Sequence, residues 1–196
     1  MRPRQVHGVR VMKARRAPGP EREEADAIIS DVPGLPVAVV TADCVPILVA
    51  ELGGACVAAV HAGWRGLAAG VVAEALSELA RSGAAPTRLR AVIGPHIGPC
   101  CYEVDAPVLD ALTLRFGEVT ETALRPGRPG HAFLDLGALV RVECLRAGLA
   151  PTAVGAVPSS CTRCDSERFH SYRRDGARAG RLVHSIAATA GALRKS

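Results

Sequence analysis

Three apolar runs rich in β-branched residues crowd the stretch between Leu35 and His61, and they constrain the fold more than any other feature of the chain. Residues 35–41 (LPVAVVT), 46–50 (PILVA) and 56–61 (CVAAVH) are too short for core helices and too continuous for strands with one wet face. They predict neighbouring buried strands, the first two separated by Asp43-Cys44 and the third entered from a Gly53-Gly54 turn. Such strands need covering layers. Residues 67–81 repeat Leu67, Val71, Ala75 and Leu79 at helical spacing with Glu74, Ser77, Glu78 and Arg81 opposite, which predicts one amphipathic helix stopped at Ser82-Gly83. Asp105 can cap a helix to about Phe116, with Val108, Leu109, Leu112 and Phe116 inward, and Asp135 can cap another that ends at Gly148. Residues 89–93, 152–157 and 182–189 read as further strands, and 125–131 (RPGRPGH) as an exposed, mobile loop. The expected fold is mixed α/β (α+β), a single domain over residues 1–196 with layered sheets flanked by helices.

The chain has 196 residues, enough for one domain with a proper core. Aromatic residues are only 3%, so the core is built from Val, Leu, Ile and Ala, and a base-stacking surface for nucleic acid is not expected. The net charge of +5 rests almost wholly on arginine, which suits bidentate contact with phosphate or carboxylate as well as a solvated surface. Residues 1–16 carry charge without an apolar signal core, and the most apolar stretch, 35–50, holds Asp43 and is too short to span a bilayer. A cytoplasmic chain with no membrane partner is the expectation. Seven cysteines cannot all pair, and in a reducing compartment they favour metal binding or catalysis over a disulfide framework.

Three segments each set a metal-binding side chain just beyond an apolar strand: Gln5-Val6-His7-Gly8, Thr41-Ala42-Asp43-Cys44 and the HAGWRG run from His61 to Gly66. Taken singly, such a cysteine is most often a small core hydrophobe and such a histidine a hydrogen-bonded one. Taken together, His7, Cys44 and His61 make a three-ligand set, and a zinc ion with three protein ligands keeps a fourth position for water or substrate. Asp43 is placed to orient a ligand or accept a proton. A rival site would join Cys100-Cys101 with Cys161-x-x-Cys164 as a four-sulfur structural zinc centre, although adjacent cysteines rarely chelate one tetrahedral ion. Residues 94–99 (GPHIGP) allow close backbone approach to a ligand but match neither a P-loop nor a dinucleotide fingerprint. Arg173 and Arg174 are candidates for an anion site or, equally, for a surface ion pair.

TADCVPIL, HAGWRG, IGPHIGPCCYEV and SYRRDG, in this order and at these separations, closely resemble the laccase-domain (YfiH-like) family from Gln5 to about Arg181. The resemblance implies a fold related to cysteine hydrolases and zinc held by the QVHG histidine, the TADC cysteine and the HAGW histidine, which are His7, Cys44 and His61 here. It implies phosphorolysis of adenosine, inosine, guanosine or methylthioadenosine to base and ribose 1-phosphate, with adenosine deamination as a second activity. Purine nucleoside and phosphate are then the partners. Cys44, His61 and Asp43 become the catalytic candidates, and Arg65, Arg173 and Arg174 the candidate phosphate clamp. Family members carry a segment ahead of QVHG, which this domain is expected to lack. The H-x-E and P-C-x-x-C signature of nucleobase deaminases is absent, so deamination would need a different arrangement around the zinc. Three other functions compete. Copper-dependent polyphenol oxidation, suggested by the family's older name, calls for H-x-H pairs that the six histidines do not form. A metal-free hydrolase would use Cys44 as nucleophile and His61 as base. A non-catalytic remnant of the enzyme is the third.

Overall fold

A computed structural model describes residues 1–16, 22–158 and 160–190. Its strands are β1 (Val11–Lys13), β2 (Ala27–Ser30), β3 (Pro36–Thr41), β4 (Val45–Glu51), β5 (Val57–Ala62) and β6 (Leu89–Ile93). They continue as β7 (Glu103–Asp105), β8 (Leu124–Pro126), β9 (His131–Leu134), β10 (Val154–Ala156) and β11 (Leu182–Ala187). The helices are α1 (Trp64–Ala69), α2 (Val71–Arg81), α3 (Ala106–Phe116), α4 (Val119–Thr122), α5 (Leu136–Arg146) and α6 (Tyr172–Asp175).

The main sheet runs β1-β2-β5-β4-β6-β10, antiparallel through its centre and parallel at both edges. All six residues of β5 are buried, because each face has a cover of its own. Ala58, Val60 and Ala62 face the larger core under α2, α3 and α5, while Val57 and Ala59 face a smaller core shared with Val37 and Val39 of β3. A ribbon of β3 and β11 closes that second face, and a small β7-β9-β8 sheet stands apart. The result is the expected mixed α/β layering.

Four differences from the sequence expectation have local causes. Strand β3 alternates, with Val37, Val39 and Thr41 buried and the residues between them half-buried, because only one of its faces meets the main sheet. The single helix expected over 67–81 is two, α1 and α2, broken at Gly70, whose φ of 97° no helix interior tolerates. The expected mobile loop over 125–131 is the tip of a hairpin, since β8 pairs with β9. Asp105 holds the cap position of α3 without a side-chain cap bond, whereas Asp135 caps α5 by accepting the Ala138 N–H at 2.9 Å.

Candidate active site

Asp26 organises the site. It lies at the entry to β2, is wholly buried, and accepts the backbone N–H groups of Val6 (3.1 Å), His7 (2.9 Å) and Gly8 (2.7 Å). The same carboxylate meets Nδ1 of His61, on β5, at 2.8 Å. One acid therefore fixes the loop that carries His7 and the ring orientation of His61, leaving Nε2 of that ring to face Cys44. Gln5 adds a second tie. Its side-chain amide exchanges two 2.8 Å hydrogen bonds with the backbone of Val40, clamping the loop along β3.

Cys44 sits in the tight turn between β3 and β4. That turn is strained at Asp43, which holds a φ of 92°, and His7 holds 59°. Positive φ at residues other than glycine persists only where neighbours over-determine it. For His7 those neighbours are the three N–H bonds to Asp26. For Asp43 they are the Thr162 hydroxyl and the Arg173 backbone N–H, each donating to its carboxylate at 2.6 Å, while its carbonyl accepts Ile97 N–H.

The ligand atoms of His7, Cys44 and His61 lie within 4.8 Å of one another, and the two imidazoles meet at 4.9 Å between centroids with planes 66° apart. Ligands of one tetrahedral zinc stand about 3.3–3.8 Å apart, so the set can close on one ion by small side-chain shifts. A soft thiolate with two imidazoles suits zinc chemically. Gly63 makes the space. A Cβ there would stand 2.8 Å from His7 Nδ1 and 3.1 Å from Cys44 Sγ. Burial opposes ionisation of Cys44, but hydrogen bonds to His61 and His7 outweigh it and bring the thiol down to about 7. Burial likewise opposes the imidazolium of His61, yet Asp26 and Cys44 pull it up to about 9. Asp26 is held below the usual carboxylate range by His61 and the backbone N–H groups, against its own burial.

These groups open into a cavity of about 710 Å³, a size that accommodates a small ligand. Its walls carry the aromatic rings of Trp64, Tyr102 and Tyr172 and six arginines: Arg2, Arg4, Arg22, Arg65, Arg173 and Arg181. Asp43 is the one acidic side chain in that lining among the described residues. Arg65 stacks 4.2 Å from the Trp64 ring, and Arg173 stacks 5.2 Å from Tyr102 while donating to the Glu103 carbonyl at 2.9 Å. Arg174 is not brought to this lining. Its guanidinium donates to the carbonyls of Thr162, Arg163 and Phe169 and pairs with Asp175 at 2.9 Å, so it braces the loop it belongs to.

The structure thus gathers His7, Asp43, Cys44, His61, Arg65 and Arg173 around one cavity. Asp43 bonds Thr162 and Arg173, whereas the carboxylate bonded to a histidine is Asp26. Sequence reasoning passes over Asp26, Gln5 and Tyr102. The one available signal for Asp26 is an acid placed directly before the apolar run Ala27-Ile28-Ile29.

Over residues 1–189 the chain matches the family described as multi-copper polyphenol oxidoreductase laccase. It is 39% identical over 184 residues to a purine nucleoside phosphorylase of Xylella fastidiosa, covering 92% of this chain and 68% of that relative. It is 34% identical over 192 residues to adenosine deaminase RL5 from an unknown prokaryotic organism, covering 94% of this chain and 73% of the relative. The crystal structure of Bacillus licheniformis hypothetical protein YfiH aligns with a TM-score of 0.89 at 31% identity, covering 95% of this chain and 73% of that chain. Motifs, layered fold and these likenesses agree, and the chain belongs to the YfiH-like laccase-domain family.

Proposed function

We propose that this chain is a zinc-dependent purine nucleoside phosphorylase, with adenosine deamination as a second activity of the same site. The observation that carries the reading is an open three-ligand set, His7, Cys44 and His61, at the base of an arginine-lined cavity. The names of the relatives support purine nucleosides and phosphate as substrates. Zinc, when bound, supplies a Lewis acid beside the substrate and, for deamination, an activated water.

Phosphorolysis brings a phosphate oxygen to the anomeric carbon as the bond to the purine nitrogen breaks. The attacking anion needs a cationic cradle, for which we assign Arg65 and Arg173, each already held by stacking on an aromatic ring. Positive charge develops on the sugar ring, and Asp43 is the cavity's acidic group to face it. Its two hydrogen bonds, from the Thr162 hydroxyl and the Arg173 backbone N–H, keep the carboxylate in place without tying up the Arg173 guanidinium. Asp26 acts through His61 and is a positioning residue. Arg174, spent on carbonyls and on Asp175, is assigned no phosphate contact.

Incubation with adenosine and inorganic phosphate, followed by separation of the products, tests the assignment. Adenine with ribose 1-phosphate is the expected outcome, and inosine marks the second activity. Unchanged substrate across all purine nucleosides overturns both. A second reading has one specific support: Cys44, His61 and Asp26 line up by hydrogen bonds as nucleophile, base and orienting acid. Full activity after zinc is stripped by a chelator would favour that metal-free hydrolase.

A further inference from the structure

The loop after β6 and the loop around 160–165 run side by side. His96 N–H donates to the Ser160 carbonyl at 3.2 Å, and Thr162 N–H donates to the His96 carbonyl at 3.0 Å, forming a short parallel bridge. At the end of that bridge a tight turn, in which Cys101 N–H and Tyr102 N–H both reach the Gly98 carbonyl at 3.0 Å, brings adjacent Cys100 and Cys101 to one side. Cys161 and Cys164 face them from the other loop. Sγ of Cys164 lies 3.6 Å from Cys100 and 3.3 Å from Cys101, and all four sulfurs fall within 4.8 Å of one another.

We propose that Cys100, Cys101, Cys161 and Cys164 form a second metal site, a closed four-thiolate zinc centre that is structural rather than catalytic. Four sulfurs at about 2.3 Å from one zinc stand about 3.8 Å apart, close to the spacing already present. Two of the sulfurs already have hydrogen-bond donors. Gly98 N–H donates to Cys161 Sγ at 3.3 Å, the Cys164 N–H donates to the same sulfur, and the Arg163 side chain bonds Cys101. Four thiolates around a dication leave an excess negative charge, which these donors offset. The turn answers the objection from sequence, because its curvature directs two consecutive side chains to one point.

The centre has a mechanical consequence. Thr162, inside the Cys161–Cys164 loop, donates to Asp43, and Tyr102, next to Cys101, lines the active-site cavity. Closing the four sulfurs on an ion ties together the two loops that support the cavity wall.

Metal counting on the full chain, purified under reducing conditions, tests this independently of the nucleoside assignment. Two zinc equivalents are expected for the natural chain, and about one for Cys44→Ala, retained in that variant by the four cysteines. Cobalt-substituted Cys44→Ala is expected to show the intense sulfur-to-metal absorption of a tetrathiolate site, and Cys161→Ser/Cys164→Ser to lose it. Loss of all metal from Cys44→Ala overturns the proposal. So does peptide mapping that finds these cysteines paired as disulfides in freshly purified reduced protein. Absence of phosphorolysis with two zinc equivalents bound would leave this centre standing and remove the catalytic reading alone.

Discussion

His7, Cys44 and His61 bring three ligand atoms together at the floor of a cavity, whereas Cys100, Cys101, Cys161 and Cys164 bring four together where two loops run side by side. What stands behind them differs too. The three-ligand set is backed by a fully buried carboxylate that holds one histidine ring and the loop bearing the other. The four sulfurs are backed by backbone N–H groups and an exposed arginine. A carboxylate behind a histidine orients the ring and raises its basicity, and three ligands leave a position for chemistry. N–H donors around thiolates neutralise charge and leave no open place. Ligand type alone does not separate a reacting site from a holding one; ligand number and the groups behind the ligands do.

That contrast can be broken most directly at Cys44. Cys44→Ala is expected to lower phosphorolysis by at least on the order of 10³-fold, because it removes a ligand and the site's thiol together. The fold should survive, as judged by an unchanged circular dichroism spectrum, since Cys44 sits in the turn between β3 and β4 and lines the cavity. Activity near the natural level would refute the assigned site. Asp26→Asn comes next. An amide cannot accept from three backbone N–H groups and His61 without turning a donor toward one of them. Zinc affinity at the three-ligand set is expected to fall roughly 10- to 100-fold, measured by competition with a chromogenic chelator. Metal held by the four cysteines should be unaffected, and equal weakening of both would erase the distinction.

Smaller effects sharpen the contrast between cavity and scaffold. Arg65→Ala is expected to raise KM for phosphate about tenfold, the loss of one charge-assisted contact, with little change in kcat. Arg174→Ala should leave that KM alone and lower the melting temperature, because three carbonyls and Asp175 lose their partner. The reverse pattern would reassign the phosphate contact. The mildest test is alkylation of metal-free protein across pH. The thiolate reacts, so labelling of Cys44 should rise with pH through a midpoint near 7, below the 9.0 of an unperturbed thiol. His61→Ala should move that midpoint upward by removing the hydrogen bond that favours the thiolate. A midpoint unmoved by this change would show that His61 does not activate the sulfur.

Much of the core was readable because it is a local pattern. Strands β3, β4, β5 and β6 and helices α3 and α5 follow from runs of Val, Ile and Ala, from helical spacing and, for α5, from the Asp135 cap, and their ends fall within two residues of expectation. Strands β1 and β2 were not readable. They are three and four residues long, lie among charged residues, and exist because β5 offers a free edge with which β2 pairs. Gly70 hid inside a helical period whose spacing continues unbroken across the break. Asp26 was hidden for a related reason: an acid before a short strand looks like a solvated one until the loop of His7 folds over it.

By itself the chain's order of residues determined which strands are buried and, through its short motifs, that His7, Cys44 and His61 stand at strand and loop ends where ligands can meet. Only the tertiary structure decided that Asp26 serves as the shared acceptor, that Arg65 and Arg173 reach the cavity while Arg174 does not, and that Cys164 meets Cys100 and Cys101, 64 and 63 residues before it. The physical reason is the range of the forces involved. Hydrophobic periodicity is set by near neighbours along the chain, whereas a buried charge or a ligand cluster is satisfied only by partners that the packed layers bring from far away.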